Sequence, residues 1–252
     1  FAFKYFRSNI KGKASQSMDA RKKQKVLNIY IGYDDVETVA YHTLSHSIIK
    51  YASGPVRISP ICSKHFRKFF NRPRDEKQSN DFSFTRFLVP YLNDYDGYAI
   101  FMDCDMMLRT DIYEVLNEID PDSAVSAVQH DYTPSDTTKY LNKIQYAYPR
   151  KNWSSFVIWN CSHVKNRIVT PTFVETASGL ELHRFTWLLD REIGNLDLRW
   201  NWLVGDYINP PKNVRNVHWT IGGPYFQEYS DVDFSAEWFE MNKEANFCKQ
   251  RE

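Results

Sequence analysis

Four Asp-x-Asp triplets stand out in the 252-residue sequence: Asp94/Asp96, Asp103/Asp105, Asp120/Asp122 and Asp231/Asp233. Alternate residues of an extended chain point the same way, so such a pair can converge on one divalent cation. Hard carboxylate oxygens suit Mg²⁺ or Mn²⁺, which in turn hold phosphates. Spacing alone is a weak signal, because chance gives roughly one or two such triplets in a chain this rich in aspartate. Context separates the four. Asp94/Asp96 precedes Gly97, Asp120-Pro121-Asp122 has turn chemistry, and Asp231-Val232-Asp233 lies in a polar, aromatic stretch that reads as a solvated loop. Asp103 and Asp105 instead follow Tyr98-Ala99-Ile100-Phe101-Met102, an apolar run of the kind that forms a buried central strand. Carboxylates at the mouth of such a strand are costly without a cation or hydrogen bonds. A metal-phosphate site and a capped strand end are the two readings of that pair.

The elements that would position this pair are legible around it. Residues 26–33 have strand composition and end at Asp34-Asp35; residues 37–52 carry Val39, Ala40, Leu44, Ile48 and Tyr51 at helical spacing. Strand, polar turn and helix open an α/β unit, and ligands of such folds bind beyond the carboxyl ends of the strands, where Tyr33, Asp34 and Asp35 lie. No Gly-x-Gly-x-x-Gly occurs there, which disfavours a dinucleotide cofactor. Ser53-Gly54-Pro55 breaks the helix, 56–62 reads as a second strand and 64–74 as a basic loop. Residues 82–92 read as a helix with Phe84, Phe87, Leu88 and Tyr91 on its apolar face. Arg86 would project from the opposite side, free to meet phosphate, with a plain surface arginine as the alternative.

Further on, 111–116 reads as a short helix, 124–128 as a strand, and 132–151 as a long, Tyr-rich loop of the kind that carries acceptor or lid functions. Residues 156–159 form another apolar strand, Thr170-Pro171 starts a helix, and Asp190-Arg191-Glu192 sets carboxylates after an apolar run. Residues 214–219 give a strand with His218, followed by Gly222-Gly223-Pro224, a sharply turning loop that could wrap a ligand.

Net charge is +1 but unevenly spread. Residues 1–25 hold eight Lys and Arg against Asp19, a net +7, which leaves −6 for the rest. Such a leader reads as a solvated linker, or as an arm touching a membrane surface or partner domain. A nucleic-acid binder is disfavoured, because the basic residues concentrate outside the folded part. Cys62, Cys104, Cys161 and Cys248 form no Cys-x-x-Cys pair, which argues against structural zinc and for buried thiols in a reducing compartment. No apolar run is long enough for a membrane span. The expectation is a cytoplasmic, membrane-peripheral protein, or a Golgi-lumenal one if an N-terminal anchor preceded Phe1. The sequons at Asn152 and Asn160 flank an apolar run and read as accidental.

Six stretches in this order resemble the metal-dependent GT-A glycosyltransferases, most nearly the glycogenin-like family 8: IYIGYD (29–34), FTRF (84–87), FMDCD (101–105), WSSFVIWN (153–160), LLDREIGNLDLRWN (188–201) and HWTIGGPYF (218–226). The resemblance covers roughly residues 26 to 226 and implies a single α/β GT-A domain over 26–252, with a mixed, mainly parallel sheet flanked by helices. It implies that Asp103, Asp105 and His218 hold Mn²⁺ or Mg²⁺ against a nucleotide-diphosphate sugar, UDP-linked. Tyr33 and Asp34 would take the base, Arg86 the diphosphate or sugar, and Gly222 and Gly223 the donor. Ser155 and Asp190 would face the sugar, and a hexose would pass with retention to a glycan or other hydroxyl acceptor. An inverting enzyme would instead need Asp190, Glu192 or Asp206 as base. The sequence departs from the family at the histidine loop, which carries no lysine, and at Asp190-Arg191-Glu192, where Asp-Gln-Asp is common. The alternatives are a nucleotide-sugar-binding scaffold without turnover and a sugar-nucleotidyltransferase; Asp34-Asp35 argues against the latter.

Overall fold

Residues 98–102 do form the centre of the molecule. In a computed structural model that describes residues 26–75, 78–131 and 150–247, strand β1 (Leu27–Gly32) is followed by helix α1 (Thr38–Tyr51) and β2 (Val56–Ile61). A 3-10 turn (Thr85–Leu88) leads into the short α2 (Val89–Leu92), and then come β3 (Tyr98–Met102), β4 (Met106–Leu108) and β5 (Val125–Ala127). The C-terminal half holds β6 (Phe156–Asn160), α3 (Pro171–Thr176), α4 (Gly179–His183), β7 (Ile193–Asn195), β8 (Trp202–Leu203), β9 (Asn216–His218) and α5 (Ser235–Asn246).

Six strands make the main sheet in the order β2-β1-β3-β6-β5-β7. Pairings β1–β2, β1–β3 and β5–β7 are parallel; β6 runs antiparallel to both its neighbours. A central strand covered on both faces must be apolar throughout, and Ala99, Ile100, Phe101 and Met102 are all completely buried. A second, three-stranded sheet has the order β4-β9-β8; its β9 is the strand expected over 214–219, whereas β4 and β8, of three and two residues, were not read as strands of a separate sheet. This sheet has its own apolar cluster of Met107, Trp202, Val217, Trp219, Trp238 and Met241, closed by α5.

α1 buries Ala40, Thr43, Leu44, Ser47 and Ile48, the i, i+3, i+4 stripe of an amphipathic helix. That stripe seats β4 and α5: Ser47 Oγ accepts the Leu108 amide at 3.1 Å, and Asn242 Nδ2 donates to Thr43 Oγ1 at 2.8 Å. Thr170 caps α3 through the Phe173 amide, with Pro171 at the first helical position as expected.

The single helix expected over 82–92 is corrected: the segment is a turn, then the 3-10 stretch, then α2. Pro90 is the reason. Inside a continuous helix its ring would meet the carbonyl of Arg86, four residues back, so the α-helix starts only at Val89. The loop expected over 132–151 lies outside the described residues except for its last two, and the basic leader lies outside them entirely. Among the described residues, Cys62, Cys104 and Cys161 are buried free thiols, and no helix is long and apolar enough to cross a membrane.

Candidate active site

The chain crosses from one sheet to the other at Asp103-Cys104-Asp105. Asp103 still follows the main sheet, its amide donating to Ser155 O at 2.9 Å beside β6. Asp105 already belongs to the small sheet, its carbonyl accepting the Trp219 amide at 2.9 Å just past β9. A bend at Cys104 and Asp105 therefore carries the chain from one ladder to the other between the two carboxylates. The register Met106↔His218 brings the imidazole to the same place. Ligand atoms of Asp103, Asp105 and His218 lie within 4.8 Å of one another, and Asp103 and His218 are buried.

Arg86 is no surface arginine. The 3-10 geometry turns it inward, where it is 5% exposed. Its Nη1 lies 2.8 Å from Asp103 Oδ1 and 3.0 Å from Ser154 O, with Phe82 and Phe101 rings about the guanidinium. Behind it, half-buried His183 Nδ1 and Ser154 Oγ are hydrogen-bonded at 2.7 Å. Burial, and then the charges of Arg86 and Arg72, drive the His183 pKa down to about 3, so this imidazole stays neutral.

His218 is oriented by a relay. Ser155 Oγ gives its proton to Asn152 O at 2.6 Å, so it must accept from Asn201 Nδ2 at 2.9 Å. Asn201 Oδ1 then faces His218 Nδ1 at 2.9 Å, which must carry the ring proton. Nε2 faces Asp105 Oδ1 at 3.3 Å, where a proton or a metal ion can be shared between them. Two carboxylates and an imidazole whose other nitrogen is pinned suit Mn²⁺ or Mg²⁺ with phosphate completing the shell. The residues fit the ion.

The other expected site residues fall into distinct positions. Asp34 is buried and already engaged: Oδ1 accepts the Val36 amide and Oδ2 the Asp81 amide, both at 3.0 Å. Tyr33 is half-buried, edge-on to Tyr41. Ser155 is turned inward, into the Asn201 relay. Gly222 and Gly223 lie under tyrosine rings of the chain itself: a Cβ at Gly222 would come 2.4 Å from Tyr229, and one at Gly223 2.2 Å from Tyr225. Asp190 sits on a 3-10 turn with its side chain 90% exposed and paired with Arg150.

Asn201, Glu37 and Tyr225 carry roles that the sequence left unassigned. The Tyr225 hydroxyl donates to buried Glu37 at 2.6 Å, tying the histidine loop to the turn after β1. Burial and the Glu37 charge hold that phenol far above its ordinary pKa. Asn201 had a signal: a lone amide between Trp200 and Trp202 must find buried partners.

No protein-family model matches the chain. Protein CDI of Arabidopsis thaliana is 42% identical over 251 residues, covering 97% of each chain. The chain belongs to the Protein CDI family. This member of the CDI family also superposes on the bifunctional glycosyltransferase WbbM with a TM-score of 0.60 at 16% identity, over 87% of its own length but 50% of that chain. GlyE of Streptococcus pneumoniae gives 0.58 at 12% identity, over 87% and 60% of the two chains. The galactosyltransferase LgtC, in complex with donor and acceptor sugar analogs, gives 0.58 at 11% identity, over 89% and 98%. These likenesses establish a GT-A fold for the CDI family chain. It spans about half of WbbM and nearly all of LgtC.

Proposed function

We propose that this protein is a metal-dependent glycosyltransferase. It would move a hexose from a UDP-linked sugar to a hydroxyl of a glycan or other acceptor, with retention. The observation that carries this reading is the convergence of Asp103, Asp105 and His218 where the two sheets of a GT-A fold meet. The structural likeness to LgtC, solved with donor and acceptor sugar analogs, supports it.

Asp103, Asp105 and His218 would hold Mn²⁺ or Mg²⁺, which when bound supplies Lewis-acid stabilisation of the departing nucleoside diphosphate. Arg86 orients Asp103 from the protein side and would add a fixed positive charge to the donor site, the kind of preorganised arrangement that lowers a barrier as charge develops. Asn201 fixes which imidazole nitrogen is available. Tyr33 would stack on the base. Asp190, exposed at the end of its apolar run, would face the sugar and stabilise positive charge growing at the anomeric carbon. The Tyr225–Glu37 bond holds the histidine loop against the donor side.

The test is release of free nucleotide from a panel of nucleotide sugars, with Mn²⁺ and with chelator, for wild type, Asp105→Ala and His218→Ala. Metal-dependent release from one donor, lost in both variants, is the expected result. No release and no metal-dependent nucleotide binding would overturn the assignment; binding without turnover in the presence of acceptors would leave a scaffold.

A further inference from the structure

A second polar cavity lies outside the metal centre. Residues 56–74 contain Arg57, Lys64, Arg67, Lys68, Arg72 and Arg74 with no Asp or Glu. Four of these cations line a cavity of about 380 Å³, together with Asp81 and Thr85. That volume falls within the roughly 300–1,000 Å³ of small-ligand sites.

Cations outnumber acids on this lining, although Asp75, just past it, acts on Arg72 through its charge. Lys64 is paired with Asp35, and Arg74 with Asp81, whereas neither Arg67 nor Arg72 has a salt bridge among the described residues. Arg72 is nonetheless held rigidly. Its Nη1 donates to Val174 O at 2.7 Å and Ala177 O at 2.5 Å, and its guanidinium stacks 3.6 Å from the Phe84 ring centroid. Burial lowers its pKa, so its charge is held against a desolvation cost that an anion would offset. Arg67 is exposed at the rim. On the inner wall, Thr85 is 1% exposed and its hydroxyl has no hydrogen-bond partner, a costly state for a buried donor. One preorganised guanidinium, one free guanidinium and one waiting hydroxyl form a donor set for a tetrahedral oxyanion.

We propose that this cavity is a phosphate-binding subsite, distinct from the metal centre and set back to back with it: Thr85 faces the phosphate while the next residue, Arg86, faces Asp103. The shared chemistry is a phosphate ester, from a soluble metabolite or a lipid headgroup. The inference goes beyond the transfer reaction and does not depend on it.

The experiment is calorimetric titration of the whole chain with inorganic phosphate and glycerol phosphate, beside co-sedimentation with phosphatidylcholine vesicles with and without phosphatidic acid. Arg67→Gln should weaken phosphate about 10-fold or more, the value of a charge-assisted hydrogen bond. Thr85→Val should weaken it about 3- to 10-fold while Tm stays the same or rises, because the deleted hydroxyl has no partner in the free protein. Asp105→Ala, which removes a metal ligand, should bind phosphate like wild type, and this separates the cavity from the donor site even if no nucleotide sugar is ever turned over. Soluble phosphate binding that Thr85→Val weakens supports a free ester. Vesicle binding that the same change weakens, and that soluble phosphate displaces, supports a headgroup. Phosphate affinity unchanged in both cavity variants, or lost in Asp105→Ala, would overturn the proposal. So would vesicle binding indifferent to Thr85→Val with no soluble phosphate bound.

Discussion

Asp103/Asp105 and Asp120/Asp122 are the same triplet in two settings. In the second, the Asp122 amide donates back to Asp120 Oδ1 at 3.1 Å and Asp122 is exposed, so the carboxylate is satisfied by its own turn and by water. In the first, the pair sits where two sheets meet, and its partners Arg86, Ser155 and His218 come from three other segments, with Asn201 from a fourth holding His218. The difference shows that a carboxylate pair becomes a site when the fold, not its own turn, supplies the partners.

If that is right, substitutions on the buried side should be costly and those on the exposed side nearly silent. The largest effect is expected for Arg86→Leu, which strands Asp103 inside the protein; chemical denaturation should register a loss of about 3–5 kcal/mol. A loss below about 1 kcal/mol would mean that Asp103 is compensated elsewhere. Next come the metal ligands: Asp105→Ala or His218→Ala should weaken Mn²⁺ by at least about 100-fold in an EPR titration, against no change for Asp122→Ala.

The buried side should also be acid-sensitive. Burial holds His183 and His130 at about 3, below the 6.5 of an exposed imidazole. Between those values the unfolded chain binds protons that the folded chain refuses. Stability contributed by the neutral rings is therefore full above pH 6.5 and declines as pH falls toward 3, by up to ~1.4 kcal/mol per pH unit for each. Urea unfolding at pH 6 and pH 4 should reveal the slope, and His183→Leu should flatten it.

Asn201→Ala should cost about 10- to 100-fold in Mn²⁺ affinity although Asn201 is not itself a ligand, because it orients His218. Ser155→Ala should do part of this, and the double variant should be no worse than Asn201→Ala alone, since the two act in one relay. Additive losses would break the relay. Asp122→Ala closes the series, with a stability change inside about 0.5 kcal/mol.

The chemistry-bearing strand was legible because its signal is local. A short uninterrupted apolar run from Tyr98 to Met102 after the turn at Asp96-Gly97 fits a strand covered on both faces, and carboxylates at its mouth need partners. The same holds for β1, β6, the stripe of α1 and the cap at Thr170, each written within a dozen or so neighbouring residues. Arg86 was misplaced on the outer face because helical periodicity was carried through Pro90, which instead delays the helix and turns the arginine inward. Of the small sheet only β9 was legible, as the strand expected over 214–219; β8 is too short to leave a pattern, and the pairing of β4 with β9 is long-range.

By itself, then, the sequence determined the strands, the acidic pair and the order of the motifs. The tertiary structure alone decided that Asp103 meets Arg86, that Asn201 selects the free nitrogen of His218, and that Tyr225 reaches Glu37 across 188 positions. The physical reason is range. Propensity and periodicity act over a few residues, whereas these partners meet only because β3 pairs with β6 in one sheet and β8 with β9 in the other, arrangements driven by burial that no single segment encodes.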